Sequence, residues 1–366
     1  MTARFLLKTL VPVAAAAALL VACGSTGTQP STWVYVSNAD SQDLSVYQLD
    51  HAAGALRHAD TVPLGGQAMP MAVSPDKRTL YVALRSQPYR VVSLAIDPEN
   101  GRLRKLGESP LADSMANIDT DATGRWLFAA SYGGNKITVN RIGVDGQAGP
   151  VVQNIPTSPN AHAIHADAAN RYVFATSLGG DNLSSWRFNP DTGQLTANDP
   201  ALTSITPAKA GPRHFTWDKA QRRMYLLNEL DASVHVLEYD AARGALRDLQ
   251  RLSTLPAGFT GKPWAADLHL SPDGRTLYTS ERTSSTLSAF RVDAASGQLQ
   301  LLAQVPTEKT PRGFAVDSSG RFLIAAGQES HSVSVHPIDP ATGVPGTPQR
   351  FPAGKNPNWV EIVDLP

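Results

Sequence analysis

Arg213, His214 and Glu229 are side chains that handle anionic oxygens and protons, and the chain around them brings all three together. Residues 211–217 (Gly-Pro-Arg-His-Phe-Thr-Trp) and 225–229 (Tyr-Leu-Leu-Asn-Glu) read as two short strands. The tight polar turn 218–222 (Asp-Lys-Ala-Gln-Arg) joins them. A hairpin returns antiparallel, so its open ends meet and the three residues share one rim. A guanidinium grips carboxylate or phosphate oxygens through paired N–H donors. Carboxylates and imidazoles are the usual acceptors of a proton in a reaction with water.

The same rim can be assembled from the rest of the chain, because the hairpin repeats. Turns closing on an arginine recur at Arg78, Arg125, Arg171, Arg222, Arg275 and Arg321, roughly 46 to 53 residues apart. Nine residues before each arginine stand Met69, Ala116, His162, Arg213, Ala266 and Arg312. One step later come Pro70, Asn117, Ala163, His214, Asp267 and Gly313. Seven residues after it come Arg85, Tyr132, Leu178, Glu229, Arg282 and Gln328. If the turns share one face, these positions share the opposite one. Convergent His, Arg, Asp and Glu in a concavity make a candidate site, and the cationic excess favours an anionic ligand such as a sugar acid or phosphate. Singly, each residue also has a structural reading, since an Arg–Glu pair can merely staple neighbouring blades.

Positioning falls to short strands. Each turn arginine precedes a strand such as Leu80-Tyr81-Val82 or Leu277-Tyr278-Thr279, and a third strand and second turn follow. Four strands per repeat at this period predict an all-β fold, a β-propeller. Six repeats are complete. Residues 33–38 match a second strand lacking a first, and 356–363 match a first strand lacking a turn. Joining the two ends gives a seventh blade and closes the ring, leaving one propeller domain over 33–366.

Lysine plus arginine and aspartate plus glutamate number 32 each, which argues against a nucleic-acid partner. No Gly-x-Ser-x-Gly elbow, phosphate-cradling loop or metalloprotease helix occurs. Histidines show no metal-ligand spacing, and arginines on the rim disfavour a calcium ion, so neither metal nor cofactor is expected. Residues 1–22 read as a leader: Arg4 and Lys8, then an apolar run from Leu10 to Ala18. Leu20-Val21-Ala22-Cys23 is similar to a bacterial lipobox, and Cys23 is the only cysteine. The expectation is lipidation at Cys23, a flexible tether over 23–32, and an exported, membrane-anchored monomer.

The rim motifs resemble the propeller-type 6-phosphogluconolactonases, a lactonase family that also contains carboxymuconate-cyclising enzymes. The likeness is carried by Gly211-Pro212-Arg213-His214 with Asn228-Glu229-Leu230, and by Trp264 to His269 with Glu281-Arg282-Thr283. Pro311-Arg312-Gly313-Phe314 with Gly327-Gln328 extends it, as does the stretch from Pro70 to Arg78. The resemblance implies a metal-independent hydrolase of sugar δ-lactones with His162, Arg213, Glu229 and Arg282 in its cleft. Glu229 or His162 would activate water, and Arg213 and Arg282 would hold the oxyanion. His214, Asp267, His269, Arg312, Arg85 and Gln328 would shape the substrate pocket. Asn160-Ala161-His162 departs from the family's usual His-Pro-His, and the leader departs from its usual cytosolic setting. Two alternatives stand beside 6-phosphogluconolactone: an unphosphorylated gluconolactone met outside the cytoplasm, and a non-catalytic, lipid-anchored scaffold.

Overall fold

The computed structural model describes residues 1–2, 31–205 and 207–366; the leader's apolar run, Cys23 and the tether before Ser31 lie outside the described residues. Twenty-eight strands follow in chain order, from β1 (Ser31–Asn38) to β28 (Pro357–Leu365), with no helix among the described residues. They form seven four-stranded antiparallel sheets. Six are contiguous, spanning 68–110, 115–156, 161–204, 212–253, 265–306 and 311–352. The seventh joins the two ends of the chain, β28 innermost and β1 paired to it from Ser31↔Leu365 to Asn38↔Pro357. The molecule is the seven-bladed propeller that the repeat implies. Its first strand starts at Ser31, two residues before the expected Trp33.

The innermost strands β4 (Ala68–Val73), β8 (Met115–Thr120), β12 (Ala161–Ala166), β16 (Pro212–Trp217), β20 (Ala265–Leu270) and β24 (Pro311–Val316) ring the channel together with β28. Burial follows from this radial plan. A second strand such as β5 (Thr79–Leu84) is covered on both faces by its neighbours and is buried at every position. The outer strand β11 (Ala148–Pro156) has one wet face and alternates. The core is accordingly split into seven layers between blades. In one of them Trp33, Tyr35 and Leu44 of the closing blade meet Met71, Leu80 and Val82 of the next.

Each arginine-ended turn is tied by its first residue. Asp121 Oδ1 accepts from the backbone N–H of Arg125 and Trp126, and Asp167 Oδ1 from those of Arg171 and Tyr172. The fourth turn residue is left-handed in all six, from Lys77 to Gly320. Blades are then latched by recurring tyrosines: the hydroxyls of Tyr35, Tyr81, Tyr225 and Tyr278 donate to the carbonyls of Gly101, Gly146, Gly297 and Gly343 on the following blade. Gly101 has φ +64°, and a Cβ there would lie 2.0 Å from the Trp33 ring. Gly101→Ala is expected to cost about 2–4 kcal/mol in denaturant unfolding, because left-handed strain adds to a clash with a rigid ring. Turnover should be unchanged, since Gly101 lies in an outer turn of the fold.

Candidate active site

All seven innermost strands slip register at the same end. The ladder jumps from Pro212↔Asn228 to His214↔Leu227 in β16, from Ala161 to Ile164 in β12, from Ala265 to Leu268 in β20 and from Pro311 to Phe314 in β24. The remaining three inner strands show the same irregularity. A bulge leaves residues out of the ladder and re-aims their side chains. Here the freed residues include His162, Arg213, Ala266, Asp267 and Arg312. Neighbouring blades satisfy the exposed backbone: Thr176 Oγ1 accepts from Ala163 N–H (2.9 Å) and donates to Arg213 C=O (2.7 Å).

At this mouth Glu229 sits between two guanidiniums, its Oε2 2.8 Å from both Arg213 Nε and Arg282 Nη2. Arg213 is 1 % exposed and Arg282 3 %. Arg213 also donates to the Ala266 carbonyl, and Arg282 to those of Trp264 and Ala265. The Arg282 guanidinium lies 3.8 Å over the Trp264 ring, a stacked cation–π contact. Burial would push the Glu229 carboxyl up, but Arg213 and Arg282 outweigh it and hold it below the usual range. Burial, then Arg213, pulls Arg282 down to about 9, still protonated at neutral pH. Arg312 is drawn well down by burial and by Arg213, Arg282 and Arg85 around it. Three guanidiniums therefore surround one carboxylate, with Arg85 beside them. Among the described residues Arg213 Nη2, Arg312 Nε and His162 Nδ1 are buried with no hydrogen-bond partner. Burial, then Arg213, keeps His162 neutral. Its ring stands edge-on to Tyr132 and to His214, with centroids 6.0 and 5.0 Å away.

His214 marks the waist of the channel. It reaches Asp267 on β20 (Nδ1 to Oδ1 2.8 Å), His162 on β12 and the Trp359 ring on β28, 5.6 Å off. Beyond it a cavity of about 360 Å³ opens towards the turn face, lined by Asp119, His165, Trp217, His269, Trp359 and Glu361 among others. Among the described residues no lysine or arginine lines it. Asp119 pairs with His165 at 2.7 Å and Asp267 with His269 at 3.2 Å. Burial pushes the Glu361 carboxyl up to about 7. Among the described residues no three His, Cys, Asp or Glu side chains are grouped as metal ligands would be.

The expected site residues thus divide. His162, Arg213, Glu229, Arg282 and Arg312 converge at the bulged mouth. Arg85 borders them, donating to Ser114 Oγ (2.9 Å). Gln328 is spent on Asn356 Oδ1 (2.8 Å), a staple to the closing blade. Asp267 and His214 form the waist, and His269 lies past it in the opposite chamber, away from the arginines. Tyr132 and Trp264 also stand at this mouth, and of the two only Tyr132 carries the signal of the repeat, the position of Glu229 and Arg282. Trp359 and Glu361 had no such signal, since the closing blade carries no arginine-ended turn to index them.

Fold and site together define a β-propeller hydrolase whose channel mouth holds cationic donors that are buried and, among the described residues, unpartnered. The family profile described as lactonase, 7-bladed beta-propeller, matches residues 27–362, and the chain belongs to that family. The 6-phosphogluconolactonase of Pectobacterium carotovorum is 42% identical over 332 residues, covering 91% of this chain and 98% of its own. That of Serratia proteamaculans is 40% identical over 333 residues, covering 90% and 98%. The solved structure of the periplasmic gluconolactonase of Pseudomonas aeruginosa superposes with TM-score 0.85 at 31% identity, covering 92% of this chain and all of that one.

Proposed function

We propose that the protein hydrolyses a sugar δ-lactone carrying an anionic group, of the 6-phosphogluconolactone type, at the bulged mouth of the channel. The observation that carries this is the pair of buried, unpartnered donors, Arg213 Nη2 and Arg312 Nε, beside the neutral imidazole of His162. Donors buried without acceptors bear a desolvation cost that an arriving carbonyl or phosphate oxygen relieves. Arg213 and Arg282 receive the oxyanion, Arg85 and Arg312 meet the anionic substituent, and Trp264 and Tyr132 offer flat faces to the sugar. Glu229 anchors the two arginines, its Oε2 held by both at 2.8 Å, and the water's proton is assigned to an imidazole.

A second reading rests on the leader and Cys23: an exported, lipid-anchored monomer that opens unphosphorylated gluconolactone outside the cytoplasm, in keeping with the periplasmic setting of the Pseudomonas relative. A scaffold is disfavoured, because the large exposed apolar side chains of the described blades are few and spread over four of them.

Hydrolysis of 6-phosphogluconolactone and glucono-δ-lactone should be measured side by side, corrected for spontaneous opening. A phosphorylated substrate is expected to gain about ten- to hundredfold in kcat/KM, the worth of one charge-assisted contact. Preference for the plain ring would move the second reading ahead. No acceleration of either would sink the enzyme assignment. Loss of palmitate labelling in Cys23→Ser tests the anchor.

A further inference from the structure

The Asp267–His214 pair has the form of a base with its orienting carboxylate. Asp267 and His214 are each 6 % exposed. The carboxylate accepts from the backbone N–H groups of Leu268 (3.0 Å) and Phe314 (3.3 Å) and meets His269 Nε2 at 3.2 Å. Burial opposes its charge, yet His269 and His214 hold it well below the usual range, so it is an acceptor only. The His214 nitrogen facing it, Nδ1, must therefore carry the proton, and Nε2 keeps a free lone pair. That Nε2 is buried with no partner among the described residues, and so is Nδ1 of the adjoining His162. The two rings have centroids 5.0 Å apart, and one small polar group admitted between them would satisfy both orphaned nitrogens.

On the lactonase reading of the mouth, on which this rests, we propose that the attacking water is bound between His162 and His214, and that His214, positioned by Asp267, takes its proton. The water oxygen bonds to the lactone carbonyl carbon while its proton passes to His214 Nε2. The carbonyl electron pair moves onto its oxygen, against the Arg213 and Arg282 donors. Collapse then breaks the ring C–O bond, and the ring oxygen recovers the proton from His214. The products are a hydroxyl and a carboxylic acid, whose own proton leaves to solvent. His214 is catalytic here; Asp267 acts through it by fixing the tautomer and steadying the transient imidazolium.

The groups facing His214 are Asp267 on β20, His162 and His165 on β12, Arg213 beside it and Trp359 on β28. Burial, then Arg213, pulls its pKa to about 3, so the base stays unprotonated and wild-type kcat/KM on glucono-δ-lactone, which has no titrating phosphate, should be flat from pH 8 down to pH 5.

The test is a mutant cycle on the full chain. His214→Gln and Asp267→Asn should each lower kcat about 10²–10⁴-fold with KM little changed, and the double variant should be no slower than His214→Gln alone. Asp248→Asn breaks a like pair with His235 on the outer strands of the same blade and should keep full activity. Near wild-type turnover in His214→Gln, or additive losses in the double variant, would overturn the proposal while lactonase activity stood. A wild type inactive on every lactone would remove the parent reading and this one together. If the substituted chains fail to fold, ¹⁵N spectra of the wild-type histidines decide: an Nδ1–H tautomer at His214 from pH 5 to 8 supports the assignment, and an Nε2–H tautomer refutes it.

Discussion

Arg213→Met is expected to lower kcat for lactone opening by about 10²–10³-fold, the loss typical of one oxyanion donor, while stability stays within about 2 kcal/mol of wild type. Both halves follow from the triad at the mouth. Arg213, Glu229 and Arg282 together carry one surplus positive charge, and removing Arg213 leaves a neutral Glu229–Arg282 pair at 2.8 Å. Methionine refills the volume with apolar atoms, and the main structural loss is the hydrogen bond to the Ala266 carbonyl. The catalytic loss is larger because Nη2 is buried and unpartnered before substrate arrives, so its donor is already oriented and desolvated. How the loss divides is informative. A fall in kcat places Arg213 on the reacting carbonyl, whereas a rise in KM alone places it on the substrate's fixed anion. Arg213→Lys should resemble Arg213→Met, since an ammonium cannot bond Glu229, Ala266 and substrate at once. Steady-state kinetics with a denaturant midpoint for each variant separates the two effects.

The repeat makes the architecture legible in the sequence itself. Asp121, Asp167 and Asp317 are written into the sequence because their carboxylates close the turns, and Tyr35, Tyr81 and Tyr278 because their hydroxyls latch blades. Counting from the turn arginines therefore found the mouth, and His162, Arg213, Glu229 and Arg282 do meet there. The count failed where the bulge intervenes. Consecutive strand residues point to opposite faces, so Arg213 and His214 could not both address the channel in a regular ladder. The slip at Pro212/His214 allows it, and nothing in the local composition announces that slip. For the same reason His269 looked like a mouth residue. It lies one residue from the far end of β20, and only the three-dimensional path shows His214 and Trp359 standing between it and the arginines.

Glu229→Gln should show the reverse balance, costing about 3 kcal/mol of stability and changing the chemistry less than loss of a true base would. Without the negative charge two buried guanidiniums face each other with only a neutral amide oxygen and backbone carbonyls as acceptors, and Arg312 and Arg85 add to the repulsion. That cost sits at the lower end for a broken buried pair because those carbonyls remain. Its pH dependence identifies the origin. The folded-state pKa of Glu229 lies below its unfolded value of about 4.3, so its contribution is complete above that pH and fades as pH falls through the folded value. Wild type and Glu229→Gln should therefore differ fully at pH 7 and draw together well below pH 4, the other acidic groups cancelling in the comparison. Were Glu229 the base instead, the variant would lose about 10²–10⁴-fold in kcat on top of that stability cost. Paired unfolding and kinetic profiles across this range distinguish a carboxylate that holds the arginines from one that handles the water.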